Sequence, residues 1–379
     1  MKKYLYITHL SGKRVSRIWL SALIAAKELG FQVHLACNMR EIEYEGWNED
    51  CKKYDLLTHH IDFDRNPFGV SNLNAYKQLM KLIQAEKFDI VHCNTPIGGV
   101  LGRICCHFSK TSRVIYQAHG FHFWKGAPLV NWLLYFPVEW FLAHFTDVLI
   151  TINKEDYARA QKFAAKKVCY VPGVGIDTKK FAVDPEIKNL KRANIRAELG
   201  IPADATVLLS VGEVNENKNH RVVIEALSKL ENTNVHYVIC GCGPLEESHK
   251  LLAKELGLEK RVHLTGFRSD VADFYQAADI FVFPSLREGL SVALMEAMGS
   301  EIPVVCSAIR GNVDLVDDRV TGYTIENDSI DVARTIQHII DHEEERQNCT
   351  AAARKKLMAF DLASVLQDFR EIYSAALEK

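Results

Sequence analysis

The sequence lacks a Cys-x-x-Cys pair, an uninterrupted apolar run long enough to cross a bilayer, and a complete glycine-rich dinucleotide turn. Each absence removes a class of protein. The ten cysteines are scattered from Cys37 to Cys349, several inside apolar runs such as Val238-Ile239-Cys240 and Val304-Val305-Cys306. That is too sparse for a disulfide scaffold in a chain of 379 residues, and Cys240-Gly-Cys242 has no second ligand pair at zinc spacing. Buried free thiols in a reducing compartment are expected. Met1-Lys2-Lys3 is followed only by Tyr4 to Thr8 before His9, too little for a secretion signal. The most apolar stretch, 129–145, is broken by Asn131, Pro137, Glu139 and His144, so a kinked buried helix is predicted rather than a span. Its Trp132, Tyr135 and Trp140, with nearby Lys125, also suit a helix lying at a membrane interface, the less favoured reading. No basic stripe is interleaved with aromatics, so nucleic acid is not an expected partner. The expected location is the cytoplasm, with any membrane contact peripheral.

What is present is ordinary in composition and ordered in pattern. Apolar residues are 48% and charged residues 25%, as in soluble globular proteins, and the length implies two cores. The net charge of -2 hides an asymmetry: residues 1–180 hold 24 Lys/Arg against 16 Asp/Glu, and the remainder 22 against 32. Such a split suits one half facing an anionic partner.

Short apolar runs alternate with helical stretches. In the first half the predicted strands are residues 3–7, 31–36, 89–92, 114–116 and 148–151. In the second they are 206–211, 235–239, 262–264, 280–283 and 303–306. The alternation predicts parallel sheets with helices on both faces. The charge-rich segment 177–196, with Pro185, reads as a linker between two α/β units. The predicted domains are 1–180, 181–360 and a terminal helical segment 361–379 that packs back on the first. Ligands of open parallel sheets bind beyond the carboxyl ends of the strands.

The most informative segment runs from Pro284 to Glu296: a strand end, a loop through Glu288-Gly289-Leu290, and a helix capped by Ser291. Backbone N–H groups at such a helix start suit a diphosphate, and Gly289 permits close backbone approach. Glu288 and Glu296 flank this anion site, and carboxylates accept well from sugar and ribose hydroxyls. Gly241-Cys-Gly243-Pro244 is another strand-end turn, without the third glycine of a dinucleotide fingerprint. The first strand's turn, Ser11-Gly12, is equally poor in glycine, which argues against a nicotinamide enzyme. Lys218 follows the first strand of the second half and can neutralise a leaving diphosphate. His119 and His122 follow the 114–116 strand without a carboxylate at metal-ligand spacing. Asp62-Phe-Asp64 reads as an exposed acidic pair rather than a metal motif.

Together these residues resemble the family-4 retaining glycosyltransferases, whose GT-B fold sets two Rossmann-like domains facing across a cleft. The resemblance covers nearly the whole chain. It rests on Glu288 and Glu296 as the E-x7-E pair, Gly289-Leu290, Gly241-Cys-Gly-Pro244, Gly266-Phe-Arg268 with Asp270, Ala277-Ala-Asp279, His119-Gly120 and Val174-Gly-Ile-Asp177. It implies a UDP-sugar donor and no metal cofactor. Glu288 would contact the transferred sugar, Glu296 the ribose, and Lys218 the diphosphate. The backbone near Phe267-Arg268 would meet the base, and His119 the sugar's hydroxymethyl group near the reacting centre. Gly12, Gly241, Gly243, Pro244, Leu290 and Ser291 complete the donor-binding set. The 119–128 stretch resembles members acting in bacterial capsule or exopolysaccharide assembly, which implies a polyprenyl-diphosphate-linked saccharide as acceptor.

One position departs from the family: Glu213 stands where an arginine usually pairs with the lysine on the phosphates. Lys218, Arg287, Arg310 or helix dipoles are the groups left to share that task. The alternatives are a nucleotide-sugar epimerase of the same fold, which would need an acid/base pair not evident here, and a non-catalytic nucleotide-sugar binder.

Overall fold

A computed structural model of the chain describes residues 1–9, 14–40, 42, 44–67, 69–111, 113–181 and 183–378. They group into two compact units: Met1–Gly175 with Leu362–Lys379, and Ile176–Asp361.

The first unit contains β1 (Lys3–Ile7), β2 (Gln32–Cys37), β3 (Leu56–His60), β4 (Ile90–Asn94), β5 (Val114–Ala118), β6 (Val148–Thr151) and β7 (Lys167–Tyr170). All pair in parallel, in the order β3-β2-β1-β4-β5-β6-β7. Every residue of β4, β5 and β6 is buried, as a sheet covered on both faces requires. The edge strands β3 and β7 are the two that the apolar runs do not announce. Leu-Leu-Thr-His-His and Lys-Val-Cys-Tyr are largely half-buried or exposed, so neither needs a continuous apolar run. Helix Leu362–Leu377 places Val365, Phe369, Ile372, Tyr373 and Ala376 in this unit's core with Tyr4, Trp19 and Leu23.

The second unit contains β8 (Thr206–Val211), β9 (Val235–Cys240), β10 (Val262–Leu264), β11 (Ile280–Phe283), β12 (Val304–Ser307) and β13 (Tyr323–Ile325). It is again all parallel, ordered β10-β9-β8-β11-β12-β13. Strand order reverses between β1 and β4 in one sheet and between β8 and β11 in the other. Those reversals, at the carboxyl ends, are where such sheets take ligands.

Two sequence expectations need correction. The 177–196 segment is not a linker: Pro185–Leu199 is a helix of the second unit, capped by the Asp184 side chain, with Pro185 in its first turn. Its charge is used in packing. Asp279 accepts from Arg192 and Arg196 at 2.7 Å each and from the β8 backbone at Val207, tying helix to sheet.

The 129–145 stretch is helix Leu129–Leu142 followed by a short turn, and it is not a buried helix. Leu129, Val130, Leu133, Leu134, Val138, Trp140 and Phe141 are exposed, whereas Glu139 is buried. Glu139 accepts from the buried Arg103 at 2.8 Å and from the Tyr116 hydroxyl at 2.9 Å. Arg103 lies 3.8 Å over the Tyr116 ring and donates to Gly99 O. The helix is partly inside out: its carboxylate and Leu142 face the protein, with Trp132, Tyr135 and Phe136 half-buried against the core, while its other large apolar side chains face outward. No described helix is long and apolar enough to cross a membrane. The ten cysteines are free, and Cys242, unlike most of the others, is exposed.

Candidate functional site

In the second unit, the turns after β8, β11 and β12 meet around Glu288. The β8 turn reaches the β11 turn through Leu286 N to Asn217 O (2.8 Å) and Asn217 Nδ2 to Arg287 O (3.0 Å). Lys218 Nζ donates to Glu288 Oε1 at 2.6 Å and also lies 4.6 Å over the Phe283 ring. From the β12 turn, Arg310 Nε donates to Glu288 O at 3.3 Å. The next residue, Gly311, has φ +84°, and a Cβ there would lie 2.3 Å from Gly289 O. Only glycine allows this approach. The β12 turn is therefore pressed onto the backbone that leads through Leu290 into helix Val292–Gly299. Ser291 caps that helix by accepting from Leu294 N at 3.2 Å.

Glu296, inside the helix, is within 3.2 Å of the Tyr275 hydroxyl, which also lies 3.1 Å from Ala293 O. Burial, and then the Glu296 charge, hold the Tyr275 phenol well above its ordinary pKa, so it remains a donor. Sequence reasoning missed Tyr275. It sits in an apolar helix, Val271–Ala277, and reads there as ordinary core.

The β9 turn is fixed by two glycines. A Cβ at Gly241 would lie 1.9 Å from Gly212 O, and one at Gly243 would lie 2.3 Å from Val214 O. These glycines let the β8 and β9 turns touch backbone to backbone. Gly241 N also donates to Gly266 O at 2.9 Å, joining this turn to Phe267-Arg268. Gly243 N donates to Glu246 Oε1, and the exposed Pro244 leads into helix Glu246–Glu255. Phe267 is 81% exposed. The Arg268 guanidinium is held by Asp270 at 2.7 Å and Glu198 at 2.8 Å, which raise its pKa. Glu213 is exposed in the β8 turn.

In the first unit, His119 follows β5. Asn94, at the end of β4, places its Nδ2 within 2.6 Å of His119 Nε2 and 2.5 Å of the Tyr6 hydroxyl. An amide donor on Nε2 leaves the ring proton on Nδ1. Burial pushes the His119 pKa down to about 4, so the ring is neutral near pH 7. Its loop is anchored by Phe121 N to Asp156 Oδ2 (3.0 Å) and by Asn131 Nδ2 to His122 O (2.9 Å), with the His122 ring on Tyr135. Asn94 is a second residue that the sequence reading did not single out. Gly12 lies outside the described residues.

The Asp62/Asp64 pair is not an exposed loop pair. Asp62 is buried and bonded to Gln78, His60 and Arg40, and Asp64 accepts from Ser71 and from Asn66 N. These bonds lower both pKa values, with the Gln78 amide first for Asp62 and the Asn66 backbone first for Asp64. The motif staples the chain after β3 to helix Ser71–Glu86. Among the described residues, no group of three or more His, Cys, Asp or Glu is placed to hold a metal.

Within the second unit, then, a lysine, two carboxylates and a capped helix start converge where a parallel sheet takes its ligand. The family described as "Glycosyl transferases group 1" matches residues 191–356, and "Glycosyl transferase 4-like" matches residues 13–153. The chain belongs to the group 1 glycosyltransferases, and its two parallel-sheet α/β domains are those of the GT-B fold. EpsD of Bacillus subtilis, named as a glycosyltransferase, is 35% identical over 359 residues, covering 93% of this chain and 91% of its own. An Escherichia coli relative is named UDP-Gal:alpha-D-GlcNAc-diphosphoundecaprenol alpha-1,3-galactosyltransferase. It is 31% identical, covering 74% of this chain and 76% of its own. Among solved structures, Anabaena Alr3699/HepE in complex with UDP and glucose superposes with a TM-score of 0.81 at 20% identity. It covers 99% of this chain and 100% of its own.

Proposed function

We propose that the chain moves a hexose or N-acetylhexosamine from a UDP-sugar to a saccharide carried on polyprenyl diphosphate, with retention at the anomeric carbon, in surface polysaccharide synthesis. The observation that carries this reading is the convergence of Lys218, Glu288, Glu296 and the Ser291-capped helix start at one set of strand ends. The E. coli relative, by its name, takes UDP-Gal and a diphosphoundecaprenol-linked acceptor.

In this reading Glu296, steadied by Tyr275, accepts from the ribose hydroxyls, and Glu288 accepts from the transferred sugar. Lys218 and the N–H groups at Leu290, Ser291 and Val292 face the diphosphate. The turns at Gly241–Pro244 and Phe267-Arg268 border the base. In the first unit, neutral His119 keeps Nδ1–H as a hydrogen-bond donor at the end of β5.

The reaction breaks the bond from the anomeric carbon to the β-phosphate oxygen and joins that carbon to the acceptor oxygen. The acceptor's proton passes to the departing phosphate oxygen on the same face. No protein nucleophile is required. The barrier falls through orientation and through positive charge fixed where the leaving group gains negative charge. Protein cations and backbone dipoles supply that charge, and the reaction proceeds without a metal.

The inside-out helix Leu129–Leu142 is the membrane seat in this reading. Its exposed leucines, Trp140 and Phe141 adjoin exposed Phe108 through His107 and Phe145, with Lys110 and Lys125 exposed nearby. Apolar side chains flanked by lysines suit an anionic cytoplasmic leaflet. The direct test is incubation with UDP-sugars and polyprenyl-diphosphate saccharides in EDTA, reading the product linkage by NMR. An α-linked product from an α-donor supports the reading. An inverted linkage, or an epimerised donor with no acceptor product, would sink it.

A further inference from the structure

The turns that gather around the donor site are short of positive charge. Glu213, Glu216, Glu288 and Glu296 stand on them or on the helix they enter, against Lys218, Arg287 and Arg310. Lys218 is itself bonded to Glu288 at 2.6 Å. A diphosphate brought to this helix start adds negative charge to a group of carboxylates. Lys218 alone leaves that charge poorly balanced at any reasonable dielectric.

We infer that Arg310 is the second cation on the leaving diphosphate, doing from the β12 turn what an arginine at position 213 would do from the β8 turn. The inference rests on the donor-site reading above and names a residue that reading does not use. Three observations carry it. Arg310 Nε bonds Glu288 O at 3.3 Å, so the side chain already lies along the loop that precedes the helix start. The chain there is locked, because Gly311 holds φ +84° and a Cβ there would lie 2.3 Å from Gly289 O, which excludes any side chain. A Cβ on Gly311 would lie 3.2 Å from Leu290 N, one of the donors proposed to meet the phosphates.

Lys218 and Arg310 therefore approach Glu288 from two different turns, one on its carboxylate and one on its carbonyl. A planar guanidinium matches phosphate oxygens bidentately, which an ammonium cannot do. Arg287 is the other nearby arginine. It is exposed, and it meets the β8 turn through its carbonyl. Moving the cation to β12 also leaves Glu213 tolerable, since its charge stays exposed to solvent and screened.

The test is calorimetric titration of UDP and of UMP into wild type, Arg310→Ala, Arg310→Lys, Glu213→Arg and the Glu213→Arg/Arg310→Ala pair, with thermal unfolding of each. Arg310→Ala is expected to weaken UDP about 10- to 100-fold, the range of a charge-assisted hydrogen bond, and UMP only a few-fold. Arg310→Lys should recover part of the loss. Glu213→Arg should tighten UDP in wild type and restore at least about tenfold in the Arg310→Ala background. UDP binding by wild type that Arg310→Ala leaves within threefold overturns this inference alone. So does an equal loss for UDP and UMP, which would mark a packing role, or a failure of Glu213→Arg to restore binding in a folded double variant. No UDP binding by wild type overturns the donor-site reading, and this inference with it.

Discussion

Lys218 and Glu288 come from the ends of different strands, β8 and β11, and their side chains meet at 2.6 Å with both largely shielded from solvent. If Lys218 serves the diphosphate and Glu288 the sugar, the donor must separate two groups that currently satisfy each other.

That pairing makes an unusual prediction for Glu288→Gln. The amide no longer holds the ammonium as an ion pair, so UDP is expected to bind as tightly as in wild type or several-fold more tightly. Sugar transfer is expected to fall by about 100-fold or more, because the carboxylate that orients the sugar is gone. Calorimetry with UDP and a transfer assay together check this. Weakened UDP binding would show that Glu288 supports the nucleotide instead.

Tyr275→Phe removes the hydroxyl near Glu296 Oε2 and Ala293 O. The expected cost is about 1–2 kcal/mol of stability and a several-fold loss of UDP affinity, since Glu296 loses its orienting donor. A variant with reduced melting temperature but unchanged UDP binding would confine Tyr275 to packing.

The inside-out helix predicts opposite behaviour on its two sides. Glu139→Leu is more apolar yet is expected to destabilise by about 3–5 kcal/mol, because Arg103 is left buried without its carboxylate. Leu133→Glu with Trp140→Glu is expected to leave unfolding within about 0.5 kcal/mol per site. It should also abolish flotation with vesicles containing phosphatidylglycerol. Flotation that survives the double substitution would remove this helix from membrane contact. A wild type that dimerises and ignores vesicles would assign the face to a second copy.

Buried histidines set the expected acid response. Burial lowers His34, His119 and His263 to about 4 and His92 and His220 to about 3. Between their ordinary value of about 6.5 and these values, the unfolded chain binds protons that the folded chain refuses. Their contribution is therefore complete above about pH 6.5 and is lost progressively as pH falls toward 4. Melting temperature should decline through that window, before the lowered carboxylates such as Asp62 and Asp270 protonate. A melting temperature flat from pH 7 to 4.5 would contradict the burial of these rings.

Much of the architecture is legible because parallel strands buried on both faces must be continuous apolar runs. The same logic hides β3, β7 and β13, which lie at sheet edges or are very short. The 177–196 segment deceives for a related reason: its arginines look solvated in sequence, but Arg192 and Arg196 are spent on Asp279, more than 80 residues away. Glu288, Ser291 and Glu296 are legible because they share one strand–loop–helix segment. Tyr275 and Asn94 are not singled out, because each acts through a neighbour brought near only by the fold, and Arg310 stands in the sequence only as one of several cations open to the diphosphate. The 129–142 helix shows the limit of composition alone. Its apolar content is plain, but the side that faces in is set by contacts far away in sequence, the Glu139 bonds to Arg103 and Tyr116 and the packing of Trp132 and Phe136 on Phe123.

The central claim is a nucleotide site built on Glu296 and the helix it belongs to. Titration of UDP, in EDTA, into wild type and Glu296→Ala tests it most directly. The account predicts metal-free binding by wild type, weakened about 10- to 100-fold by the substitution. Binding that Glu296→Ala leaves unchanged, or that appears only when a divalent cation is supplied, would contradict it.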